Sequence, residues 1–276
     1  MPLTPLQREV ARVLAPFRDA HDFVGGGAVL NVDWPRLSDD TDIFRDTRGG
    51  LPHGIDREIA ALEAAGFAVE TTTRSDWMVE IVLRRYGFET KVQWLDEPET
   101  TRRFFPAVAD DAFGFCLHPA DLAVNKVLCA ARRRSAPRDA VDLVHIVQRY
   151  VPLGPLVWAV AGKDGQVAPP ETLRRIRAIA FGYADEEIRA VRLEGGQSTT
   201  RDEVRAVLAD ALDSAAAYCE DTAPVDFIGH LFVDADDRPV AAGEDDIAAG
   251  RARALPIHDF TPAPSLGPPH FATEMP

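Results

Sequence analysis

The sequence predicts an α/β domain in an α+β arrangement with a mixed sheet, followed by a mostly helical C-terminal domain. Three observations predict it. Helix-like and strand-like segments alternate up to about residue 66, a strand meander follows to residue 95, and from residue 118 almost every apolar pattern has helical period. The expected units are 1–115, 116–222 and a closing hairpin with a Pro-rich tail over 223–276.

Residues 4–20 place Leu6, Val10, Val13, Leu14 and Phe17 at helical spacing. FVGGGAVL then reads as a short strand entering a glycine turn, with a helix starting over Ala28–Asn31. After Trp34–Pro35, Thr41–Phe44 is strand-like. IDREIAALEAA (55–65) is an amphipathic helix closed by Gly66, where a left-handed cap belongs. Phe67–Thr73, Trp77–Leu83 and Phe88–Leu95 are strands, with Gly87 as a turn. Pro119 suits the first turn of a helix running through DLAVNKVLCAARRR, and Pro137 opens a second over RDAVDLVHIVQRY. Helices follow at 153–161, 170–180 and 185–192, and the last, 201–219, starts with Thr200 and Glu203 in capping-box spacing. FIGHLFVDADDRPVAA reads as a hairpin about Asp236–Asp237. Six prolines in the 21 residues from 256 predict an unstructured tail.

Composition excludes several classes. The 276 residues carry 30 Lys+Arg against 44 Asp+Glu, a net charge of −14, which argues against gripping nucleic acid over the whole surface but leaves room for a local basic patch. No apolar run approaches the ~18 residues of a membrane span, and the N-terminal periodicity is too broken by charge for a secretory signal, so a cytoplasmic location with no membrane partner is expected. Cys116, Cys129 and Cys219 are odd in number and show no Cys-x-x-Cys spacing, which gives neither a disulfide framework nor a zinc ribbon.

The segment Gly25–Phe44 carries the strongest chemical signal. A glycine pair at 25–26 allows close backbone approach to a phosphate. Fourteen residues after Gly26 stands Asp40, then Thr41 and Asp42. On a strand, Asp40 and Asp42 share a face, and two adjacent carboxylates repel unless a cation joins them. Such hard oxygen ligands suit Mg²⁺, which completes its shell with water and substrate phosphates. The bland alternative is a solvated acidic loop beside a flexible turn. A second signal is the stretch Lys126–Arg138, with five basic residues and no acid. There Lys126 and Arg133 share a helix face, and Arg138 and Asp142 form an i,i+4 pair. A compact positive patch neutralises a triphosphate and orients it for in-line attack; its bland alternative is a solvated helix face.

GGGAVL…RLSDDTDIF and the later Lys…Arg-Asp…Asp resemble the nucleotidyltransferase superfamily with the DNA polymerase beta fold, in particular the AbiEii/AbiGii abortive-infection toxin branch. The resemblance covers about residues 20–150. It implies a polymerase-beta-like core that moves an NMP from an NTP to an acceptor. Gly25, Gly26, Arg36, Ser38, Lys126, Arg133 (or Arg134), Arg138, Asp139 and Asp142 would form the nucleotide site, Asp40 and Asp42 the Mg²⁺ site, and Asp40, Asp42 and Lys126 the catalytic group. It further implies the toxin of a toxin–antitoxin or phage-defence pair, with RNA, notably tRNA, as acceptor and a cognate antitoxin protein as partner. One position departs from the pattern: the strand FETKVQWL holds Gln93 where a third carboxylate is expected, and Glu80 or Glu89 would have to replace it. The alternatives are transfer to a small molecule or a protein, and a nucleotide-binding module without turnover.

Other signals are weak. Gly25-x-Gly27 lacks a third glycine for a dinucleotide fingerprint, and Asp234, Asp236 and Asp237 lack the glycine and glutamate of a calcium loop. His118 reads as a helix-entry residue. TRRFFP (101–106) reads as a Phe pair entering the core with exposed arginines, rather than a stacking surface for nucleic acid.

Overall fold

Two short stretches of alternating side chains decide the architecture. In strand β2 (Asp40–Arg45), Ile43 and Phe44 are both buried but in different cores, and in β5 (Phe88–Leu95) the same is true of Trp94 and Leu95. The sheet is therefore covered on both faces, as the period-two geometry of a strand requires when neighbouring residues are both apolar. A computed structural model describes residues 3–30, 34–46, 51, 54–96, 101–132, 136–165 and 167–260.

The sheet has seven strands, β1 (Asp22–Gly25), β2, β3 (Ala68–Arg74), β4 (Met78–Arg85), β5, β7 (Val108–Asp110) and β8 (Gly114–Cys116), in the order β3-β4-β5-β2-β1-β8-β7. It is mixed: β2 lies parallel to β5 and β1 parallel to β8, while the other neighbours are antiparallel. One face carries Ile43, Val79, Ile81, Leu83, Val92 and Trp94, covered by α1 (Pro5–Leu14) and α3 (Ile55–Ala64). The other carries Phe23, Phe44 and Leu95 beneath helices α4 (Pro119–Ala130), α5 (Pro137–Arg149), α6 (Leu153–Lys163), α7 (Pro169–Ala180) and α9 (Arg201–Ala217). The fold is α/β with a mostly helical C-terminal part, as the patterns predict.

Helix starts follow local chemistry. Thr4 caps α1 and Gln7 returns the bond, so two orphan amides are satisfied, and the Gln7 Nε2–H also donates to the Ser38 carbonyl at 2.9 Å. Thr200 and Glu203 do the same for α9. His118 is the N-cap of α4, its Nδ1 accepting from the Ala120 amide at 3.2 Å, and burial lowers its pKa, consistent with a neutral acceptor ring. Gly66 closes α3 at φ +89°. The opening helix is shorter than its periodicity suggests: it ends at Leu14, and Ala15–Phe17 is a 3₁₀ turn containing Pro16.

Several expectations need correction. The helix from Pro119 stops at Ala130 rather than running through Arg134, because the Arg132 amide bonds the Cys129 carbonyl and tightens the end; Arg133 and Arg134 lie outside the described residues. The turn at Asp234–Arg238 is present, with the Asp234 carboxylate accepting from the Asp236 and Arg238 amides. The hairpin is closed by an antiparallel Val233–Pro239 bridge and by the Val240 amide donating to the Phe232 carbonyl, while the ladder partner of β9 (Leu231–Val233) is β10 (Arg253–Leu255), beyond helix α10 (Glu244–Ala248). The tail is partly ordered too: β11 (His258–Asp259) pairs with β6 (Arg102–Arg103), while 261–276 lie outside the described residues. Arg103 is not exposed. It is fully buried, bidentate to Asp46 at 2.8 Å and stacked between Phe23 and Phe260.

Buried charge pins the helical part to the core. Asp121 on α4 accepts from the Phe104 and Phe105 amides, and its Oδ1 pairs at 3.1 Å with Lys163 at the end of α6; both side chains are fully buried. Changing Lys163 to Met leaves that carboxylate without its cation. It is expected to destabilise the chain by roughly 3–5 kcal/mol, read as a lowered midpoint in chemical denaturation.

Candidate nucleotide site

β1 and β2 are antiparallel with Gly25 opposite Asp42, so the glycine turn at the end of β1 lies against the acidic strand. Asp40, Asp42 and Phe44 share one strand face; Phe44 is buried and the two acids are partly open. They line a cavity of about 370 Å³ together with Gly26, Gln93, Asn125, Lys126, Cys129, Arg132, Arg138 and Asp139. That volume lies in the range of small-molecule sites. Phe44, Leu95, Leu117, Leu122 and Leu128 make an apolar wall.

The glycine turn fits its own chain rather than standing open. A Cβ on Gly25 would meet the Phe44 ring at 2.7 Å, one on Gly26 would meet Asp42 Oδ2 at 2.0 Å, and one on Gly27 would meet Arg36 Nη2 at 2.2 Å. Gly26 also has φ +66°, a conformation that favours glycine. These glycines therefore make room for the groups that build the cavity, and of the pair only Gly26 lines it. Gly26→Ala is expected to displace the Asp42 carboxylate, abolishing divalent-cation binding in a titration while leaving the far-ultraviolet circular dichroism unchanged.

Two residues expected in the nucleotide site have their partners within the chain. Arg36 is 3% exposed and bonds both oxygens of Asp142. Ser38 is likewise buried, its Oγ 3.1 Å from Asp40 Oδ1 and 3.0 Å from the Asp40 carbonyl. Neither lines the cavity. Arg36 is drawn inward by a fully buried carboxylate, and Ser38 steadies Asp40. The expected Arg138–Asp142 pair is not formed. Asp142 faces Arg36 and Lys126, with Lys126 Nζ 2.9 Å from its Oδ2, while Arg138 reaches across to Asp40 at 3.7 Å.

Lys126 also lies 3.3 Å from Asp139, which caps α5 through the Ala136 amide. Burial pulls the Lys126 pKa down, but Asp142 and Asp139 outweigh it and leave it raised. Burial likewise opposes the charge of Arg138, yet Asp40, Asp139 and Asp42 raise its pKa. Both groups stay cationic. Asp142, despite burial, is held below the usual carboxylate range by Lys126 and Arg36.

Gln93 is opposite Asp42 on β5 and opposite Glu80 on β4, so the three residues cross adjacent strands in one row. Its Nε2–H donates to Glu80 Oε2 at 2.6 Å. Glu89 cannot stand in for a third acid. It is four residues from Gln93, about 13 Å along the strand, and bonded to Arg84. Thiol chemistry is not supported either: burial pushes Cys116 up to about 12 and Cys219 up to about 11.

Sequence reasoning missed Asn125, whose Oδ1 has no hydrogen-bond partner among the described residues, and the lining residues Cys129 and Arg132. The signal was there: positions 122, 126 and 129 are one helical stripe centred on Lys126.

No protein-family model matches the chain, and no curated protein matches it. Among solved structures, the crystal structure described as a "putative nucleotidyltransferase from H. pylori" is similar at a TM-score of 0.49 and 15% identity, over 78% of this chain and 96% of that one. Among the described residues no helix is long and apolar enough to cross a membrane, and no group of three His, Cys, Asp or Glu side chains forms a metal cluster.

Proposed function

We propose that the chain is a Mg²⁺-dependent nucleotidyltransferase that moves an NMP from an NTP to an RNA acceptor, notably a tRNA end, as the toxin of a toxin–antitoxin or phage-defence pair. One observation carries the reading: a single cavity holds two carboxylates from one strand facing cations from two helices. The charge balance favours such a ligand. Asp40, Asp42 and Asp139 offset Lys126, Arg132 and Arg138 along the cavity wall, so adding a divalent cation turns the site positive and ready for a triphosphate. The donor set fits Mg²⁺, with hard carboxylate oxygens on a rigid strand, one of them beside a glycine that leaves it room. Asp40 and Asp42 would hold the ion, which would supply Lewis-acid stabilisation of charge on the phosphates.

The chain's own residues do the rest. Arg138, half-exposed at the cavity mouth, and Lys126 deeper in are placed to bind phosphate oxygens and orient the triphosphate. The leucine wall and Phe44 offer an apolar surface for a base and exclude water from that side. Asp142 and Arg36 keep Lys126 in place from behind. An RNA acceptor is supported by exposed Arg174 and Arg175 on α7, which share Glu171 and border the same recess as Ala131, next to cavity residue Arg132.

The reading is tested by pyrophosphate release from each NTP in the presence of total RNA. Release is expected with Mg²⁺ and is expected to fall to background on chelation and to return on adding Mg²⁺ back. Release unaffected by chelation would refute metal-dependent transfer.

A further inference from the structure

The site has a residue that acts on it from outside the cavity. Gln93 lines the wall beside Asp42, whereas Glu80 stands one strand further on and does not line it. A carboxylate only accepts hydrogen bonds, so the Gln93 end that faces Glu80 must be its NH₂ group, as the 2.6 Å contact has it. That choice fixes the amide and leaves Oε1 as its other end. Glu80 is itself pinned from both sides: its Oε1 accepts from the Thr72 hydroxyl at 2.6 Å and lies 3.8 Å from Lys91 Nζ, while its Oε2 is given to Gln93.

We infer that Glu80 is a positioning residue that locks the Gln93 amide with its oxygen available to a divalent cation held by Asp40 and Asp42, giving a third, neutral oxygen ligand. This rests on the metal-dependent reading of the cavity. It also accounts for the position opposite Asp42 being an amide: a third carboxylate would sharpen the repulsion between Asp40 and Asp42, whereas an amide oxygen adds a ligand without charge. Glu80 places its negative charge one strand further out, beside Lys91.

The test is Mn²⁺ titration of the full chain, followed by the loss of the free-ion electron paramagnetic resonance signal, with thermal melts to confirm folding. Gln93→Ala is expected to weaken Mn²⁺ binding about tenfold, and Glu80→Ala to approach that loss, as removal of outer-shell partners does at metal sites. Glu80→Gln still offers an acceptor oxygen to the amide and should restore most of the affinity. In the Gln93→Ala background, Glu80→Ala should add almost nothing, since the two act through one amide. Equal losses from Glu80→Ala with and without Gln93, or none at all, would overturn the inference while leaving the cation site standing. Mn²⁺ binding that is absent from the wild type, or unchanged in Asp40→Ala/Asp42→Ala, would overturn both this inference and the functional reading beneath it.

Discussion

Asp42→Asn is expected to lower nucleotidyl transfer at least about a thousandfold, equivalent to ~4 kcal/mol of transition-state stabilisation. The change is isosteric, so the close approach to Gly26 is kept. What is lost is the charge that, with Asp40, makes the strand face attractive to a divalent cation. The same variant should stay folded, because the substitution keeps the size and shape of the side chain. Steady-state turnover together with a thermal melt checks both halves. Unchanged turnover would show that the acidic face is not the reacting centre.

The largest structural effect is expected from Asp142→Asn. Asp142 is completely buried and is the shared anion for Arg36 from the loop before β2 and Lys126 from α4. Neutralising it leaves Arg36 without a charged partner and Lys126 with Asp139 alone, in a dry region, which costs roughly 3–5 kcal/mol. For a chain of this size that corresponds to a fall in melting temperature of the order of 10 °C. Adding Arg36→Met to Asp142→Asn should cost less than the sum of the separate changes, because the second removes a charge the first had stranded. A strictly additive cycle measured by denaturant unfolding would contradict this account.

How much of this was legible in the sequence depends on the range of the interaction that decides each feature. Alternation in DDTDIF placed Asp40 and Asp42 on one strand face, and Pro119, Pro137, Thr200 and Gly66 marked helix ends, because these depend on neighbours within a few residues. The short strands β6, β7 and β8 carry too few residues for a periodic signal, so the parallel pairing of Val24 with Cys116 was invisible. Charge partners were misjudged for a related reason. An i,i+4 pair such as Arg138–Asp142 stabilises by a few tenths of a kcal/mol, too little to compete once packing turns Asp142 inward against Arg36, 106 residues away in sequence. Arg18 and Arg45 are likewise both buried against Glu58 on α3, which also accepts from the Trp94 indole. Of the charged residues read from the sequence, Asp40, Asp42, Asp139, Lys126 and Arg138 line the candidate cavity. Its construction was not legible: the glycines fit Asp42 and Phe44, Ser38 serves Asp40, and Arg36 serves Asp142.

The most direct measurement incubates the purified chain with each α-³²P-labelled NTP, Mg²⁺ and total RNA, beside the Asp40→Ala/Asp42→Ala variant. The account predicts that label from a nucleotide appears on RNA with the wild type and vanishes in the variant, although the variant remains folded. Label that stays off RNA would contradict transfer to an RNA acceptor, and label that persists in the variant would place the chemistry elsewhere on the molecule.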